Sequence, residues 1–114
     1  MPLPANIKKQ VEETLTAYCE SRVPAHVKNE VNYSYGFRGN SATLFENRPD
    51  WRNRNLWHPM AIAQFRFDPV KGLWTLYCAD RNSKWHEYLE VEPTQQFQKL
   101  LDEVEDDPTG IFFG

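Results

Sequence analysis

The chain has 114 residues, a net charge of −3, 40% hydrophobic and 14% aromatic residues, and a mean hydropathy of −0.70. That length has room for one domain, 1–114, which buries roughly two thirds of its unfolded surface and needs neither a metal nor a disulfide to fold. No stretch approaches the roughly 20 apolar residues of a membrane span, and the start MPLPANIKKQ lacks an apolar signal core, so a cytoplasmic protein with no membrane partner is expected.

Pro4 and Asn6 open a helical pattern in which Ile7, Val11, Leu15, Tyr18 and Cys19 recur at spacings of four and three. The spacing predicts a helix over about residues 4–21, ended by Val23 because a residue before proline avoids helical angles. Val31, Tyr33, Tyr35 and Phe37 then alternate with polar residues, the period of a strand with one apolar face. Gly39 and Asn40 form a two-residue hairpin signal, and Ser41 to Glu46 returns as a second strand.

Residues 48–59, RPDWRNRNLWHP, carry prolines and no alternation, and read as a long loop. Ala63, Phe65 and Phe67 mark a third strand, and Asp68, Pro69 and Gly72 a tight turn. Trp74, Leu76 and Cys78 mark a fourth strand, residues 81–83 another turn, and residues 84–89 a fifth strand. Pro93 and Thr94 open a second helix with an apolar stripe of Phe97, Leu100, Leu101 and Val104, ending near Asp106. Three apolar residues at 111–113 are expected to pack back onto the body.

This order predicts an α+β fold, a single α-β5-α domain. A five-stranded antiparallel meander is covered on one face by an N-terminal and a C-terminal helix, and the other face is left open.

Charge is uneven along the chain. Residues 28–84 hold nine basic and five acidic side chains, whereas residues 85–114 hold one basic and eight acidic. Either the two regions neutralise each other across one surface, or the basic middle meets an anionic partner. Within the middle, Arg38, Arg48, Arg52, Arg54, Arg66 and Arg81 interleave with Trp51, Trp57 and His58. Basic side chains beside aromatic rings are the two devices that hold single-stranded nucleic acid. The bland alternative makes Trp51 and Trp57 a plug for the core, with the arginines paired to Glu46, Asp50 and the acidic helix. An exposed ring beside Arg52 or Arg54 would favour docking.

His26, His58 and His86 lie in separate segments without ligand spacing, so no metal and no cofactor is expected. Cys19 and Cys78 fall on apolar faces and read as reduced, inert core thiols. No phosphate-binding or nucleophile-elbow motif is present. The leading reading is therefore a non-catalytic binding module for single-stranded nucleic acid or another anionic ligand, present as a monomer or weak dimer. The alternative is a protein-interaction module that uses the open face or an edge strand, with Tyr77, Tyr88 and Phe112 as anchors. An enzyme ranks third. It would need a pocket joining His58 or His86 to a carboxylate.

The strings RGNSATLFENRP, AQFRFDPVKGLWTLYCADRNSKWH and DPTGIFFG, with the opening PANIKKQVEETLTAYCESRVP, resemble the bacterial domain-of-unknown-function 3024 family. The resemblance spans nearly the whole chain and implies a small stand-alone protein, but it supplies no activity. Members often show glycine where this chain has Asn82 and Ser83, and tryptophan at Cys78.

Overall fold

The computed structural model describes residues 3–113. Helix α1 (Ala5–Arg22) is followed by a single 3-10 turn (Ala25–Val27). Five strands come next, β1 (Asn32–Arg38), β2 (Ser41–Pro49), β3 (Trp57–Asp68), β4 (Leu73–Ala79) and β5 (Trp85–Glu87), and then helix α2 (Phe97–Asp106). The strands pair antiparallel in the order β1-β2-β3-β4-β5, the meander that serial hairpin turns dictate. The fold is α+β with an open sheet and two helices.

Both helices bury their apolar stripes on the same side of the sheet. Val11 and Leu15 of α1 and Phe97, Leu100, Leu101 and Val104 of α2 join one cluster with Ala42, Leu44, Ala63, Phe65, Phe67, Trp74, Leu76 and Cys78. Alternate strand residues supply this layer, so their neighbours point the other way. The core rings interlock: Phe65 and Trp74 both pack against Phe97, at 4.6 and 5.1 Å between ring centres.

α2 begins at Phe97, later than Pro93 and Thr94 suggest. The reason is that Thr94 is extended, exchanging both backbone hydrogen bonds with Trp74. The residue that caps its C-terminus, Asp107, adopts the left-handed conformation (φ 43°), and its carboxylate accepts the amides of Phe112 and Phe113. Phe112 is buried and stacks on Tyr88 at 5.0 Å, so the tail packs back through that ring, while Ile111 stays exposed. Arg22 fastens the same end. It lies over the rings of Phe113 and Tyr33, and its Nε is 3.1 Å from Glu105, although that N–H is not aligned for a hydrogen bond.

The largest departure from expectation is at residues 48–59. These are not a long loop. β2 runs on to Pro49 and β3 starts at Trp57, with Arg48 opposite His58 and Pro49 opposite Trp57, which leaves a connection of residues 50–56. This segment hides its strand character because β4 pairs only with residues 63–68 of β3, and β1 pairs with β2 only as far as Asn47. The far end of the β2–β3 pair is thus a two-stranded arm with no core beneath it, so no apolar alternation is required there. The fifth strand is also shorter than expected, Trp85–Glu87 rather than residues 84–89.

A β-bulge sets the phase of the arm. Leu44 pairs with Ala63 but Phe45 pairs with Ala61, so Ile62 is an extra residue on β3. Ile62 and Ala63 are consequently both buried. Beyond the bulge, Ala61, Pro59 and Trp57 share the open side with Gln64 and Arg66, whereas Met60 and His58 turn to the helix side.

The candidate site on the open sheet face

Strand register places the open-face residues in rows. Arg38, Ser41, Arg66 and Thr75 form the first, and Gly36, Thr43, Gln64, Tyr77 and Glu87 the second. Ser34, Phe45 and Ala61 form the third, which Trp85 reaches from β5, and Pro49 and Trp57 end the series on the arm.

A network crosses the second row. The amide of Gln64 donates to Thr43 Oγ1 at 3.1 Å, and Arg66 Nε donates to Gln64 Oε1 at 2.7 Å. The Arg66 guanidinium lies over the Tyr77 ring at 3.8 Å. Nε is thus engaged and the plane is stacked. Among the described residues the two Nη groups have no protein partner, so Arg66 is held in place with donors to spare.

Beside this network lies a shallow depression of about 320 Å³ between Gly36, Arg38, Thr43, Phe45, Ala61 and Trp85. Its floor is low because Gly36 and Ala61 are small; a methyl group on Gly36 would sit 3.8 Å from the Phe45 ring. Phe45 and Trp85 form its apolar walls.

The arm carries the most exposed rings. Trp51 is 81% exposed and Trp57 38%, so neither plugs the core; there is no open core end at the arm for them to close. Arg52 lies over the Trp51 ring at 4.7 Å. Asp50 orders the turn, accepting the Arg52 amide at 2.7 Å through one oxygen and meeting His58 Nε2 at 3.1 Å through the other. The Arg52 amide first, and His58 second, hold the Asp50 carboxyl below its ordinary value of 3.8. Arg54 donates to the backbone oxygen of Asn29 at 3.2 Å.

The predicted site residues therefore divide. Arg38 and Arg66 share the open face, Trp57 extends it, and Trp51, Arg52 and Arg54 form the arm's tip. Arg48 and His58 do not join them. By register they take the helix side of the arm, and each already meets a carboxylate, Glu46 at 2.8 Å and Asp50 at 3.1 Å. Burial opposes ionisation of Glu46, but hydrogen bonds from Arg48 and Tyr33 outweigh it and lower its pKa. Arg81 lies apart, in the turn after β4, lining a different hollow with Pro59, Ile62 and Phe112.

Sequence reading overlooked Phe45, Thr43, Gln64 and Trp85. Their signal was present: in the second strand Thr43 and Phe45 alternate with the core residues Ala42 and Leu44.

The basic middle and the acidic C-terminal third are not joined by direct ion pairs: among the described residues, no cation of residues 28–84 forms an ion pair with an acidic side chain of residues 85–114; the pair that reaches α2 comes from Arg22.

His86 meets Asp80 at 2.7 Å, but this carboxylate, like Asp50, closes a turn by accepting backbone amides, here from Asn82 and Lys84. Both histidines are exposed, and neither lines the depression beside Phe45. Cys19 and Cys78 are free thiols; burial raises both, Cys19 to about 11, so neither is a ready nucleophile.

A family model described as a domain of unknown function (DUF3024) matches residues 3–114, and the chain belongs to that family. No curated protein and no solved structure matches it.

Proposed function

We propose that the protein is a non-catalytic module that binds single-stranded nucleic acid on the open face of its sheet. The observation that carries this reading is the division of its aromatic rings. The rings under the helices pair with one another, as Phe65, Phe67, Trp74 and Phe97 do. Among the described residues, Phe45, Trp57 and Trp85 have no aromatic partner, and the rings of Trp51 and Tyr77 are met by arginines. A part-exposed ring on an open sheet face, near an arginine with spare donors, offers a face for a base and a contact for a phosphate. The net charge of −3 does not oppose this, because the acidic excess belongs to residues 85–114; the open face carries Arg38 and Arg66 with Glu87 and Asp68, and the Asp68 carboxylate is taken up by the amides of Val70 and Lys71.

Titration of isotope-labelled protein with short single-stranded DNA and RNA at low salt tests the proposal. Signals of Phe45, Arg66 and Trp85 should move, with an affinity that falls as salt rises. A titration that leaves all three unmoved would overturn it.

A second reading, a protein-docking module, draws on Leu56 and Met60 on the arm, 53% and 55% exposed, since aliphatic side chains do not stack on bases. Strand addition to the arm is disfavoured by Pro59, which offers no donor, and by the bulge at Ile62. Salt-insensitive association seen by light scattering would favour this reading over the first.

A further inference from the structure

Resting on the nucleic-acid reading, we infer that the bound strand runs lengthwise along β2 and β3, and that the arm is its second grip, so that the site selects single strands by length. The cations of this surface stand at two ends. Arg38 and Arg66 flank the first row, and Arg52 and Arg54 occupy the arm's tip. Between them lie Phe45 with the depression beside it and then Trp57, on the same side of the same strand pair. A path across the strands along the second row would instead leave the sheet over Glu87, whose carboxylate repels phosphate.

The bulge at Ile62 makes the lengthwise path continuous. Were the same residues paired regularly, with Ile62 in the ladder, Met60 and His58 would continue the open face and Trp57 would turn to the helix side.

The nine residues Ser41–Pro49 span roughly 26 Å at about 3.3 Å per step. A mono- or dinucleotide can occupy the depression and reach Arg66, but it cannot also reach Trp57. Single-strand platforms on small β domains hold about 4–16 nucleotides, and this track matches the short end of that range. Neither Arg52 nor Arg54 is ion-paired among the described residues, so both are available for phosphates at the far end.

The experiment is a fluorescence-anisotropy series with labelled oligo-dT and oligo-U of about 2 to 12 nucleotides, the range that brackets such a platform. It compares the full chain with Trp57→Ala, with Arg52→Ala/Arg54→Ala, and with Phe45→Ala. These arm positions contribute nothing to the core, so the arm variants should keep the parent's melting temperature. The parent's affinity should climb steeply once the oligonucleotide exceeds about 4 nucleotides. Trp57→Ala should flatten that climb by about tenfold while leaving dinucleotide binding unchanged. The double arginine variant should reduce the slope of log affinity against log salt by about 1.4, the value for two lost single-strand phosphate contacts.

A length curve that is flat beyond the dinucleotide, or identical in parent and arm variants, would overturn the lengthwise track and leave the open-face reading standing. Absence of binding at every length, or binding indifferent to Phe45→Ala, would overturn the open-face reading itself.

Discussion

The two faces of this sheet are built from the same strands and meet opposite fates. On the helix side, Leu44, Phe65, Trp74 and Leu76 are buried, and the rings among them touch other rings. One residue along, Phe45, Gln64, Arg66 and Tyr77 are partly exposed, and the last three are joined by polar and cation–ring contacts. The covered face draws its stability from apolar area removed from water. The open face keeps its rings available because two helices cover one side only. The same residue type is therefore packed against other rings on one face and left part-exposed on the other.

The sharpest way to break this comparison is to truncate one ring on each face. Phe65→Ala should cost about 3–5 kcal/mol, because it leaves a cavity among fixed neighbours. Phe45→Ala should cost no more than about 1 kcal/mol, since its ring is already part-solvated. Urea denaturation of the two variants measures the difference, and equal losses would show that Phe45 is a core residue.

A second test weighs the clasp at the closed end. Arg22→Ala removes contacts with Phe113, Tyr33 and Glu105 together, and should cost about 1 kcal/mol once solvent screening of this partly exposed side chain is allowed for. The tail would loosen with it, and amide exchange at Phe112 and Phe113 reads that directly.

The turns give smaller effects. Ser83 holds a left-handed backbone (φ 63°) in the turn after β4, a conformation that glycine adopts without the steric penalty of a side chain. Ser83→Gly should raise stability by about 0.5 kcal/mol, seen as a small rise in melting temperature.

The smallest effect concerns acid. Asp50 is held below 3.8 chiefly by the Arg52 amide, and Asp80 chiefly by His86. A depressed carboxylate supports the folded turn above its ordinary value and loses that support as pH falls through the depressed one. As pH falls below about 4, the Arg52 and Lys84 amides should therefore exchange faster relative to their intrinsic rates, while core amides such as that of Leu44 hold. Uniform loss at all three would mean that the turns and the core respond as one unit.

Much of the covered face was legible from residue order. The stripe Phe97, Leu100, Leu101 and Val104, the pairs Val11 and Leu15, and the alternation through Trp74, Leu76 and Cys78 all mark core positions, because burial imposes a period on apolar residues. The open face was half legible. Arg38 and Arg66 were found, but Phe45 was passed over and Trp51 and Trp57 had two readings.

The sequence by itself thus determined the meander, the two amphipathic helices and the clustering of arginine with tryptophan, all local patterns of spacing and turn chemistry. Tertiary structure decided the rest. Because β4 and β1 stop short of the arm, residues 48–49 and 57–59 pair as strands with no core to mark them. Because one extra residue sits at Ile62, Trp57 faces with Phe45 while His58 faces away. Both outcomes depend on which backbone stands beside which, and a bulge shifts every later side chain by one face without leaving any trace in composition.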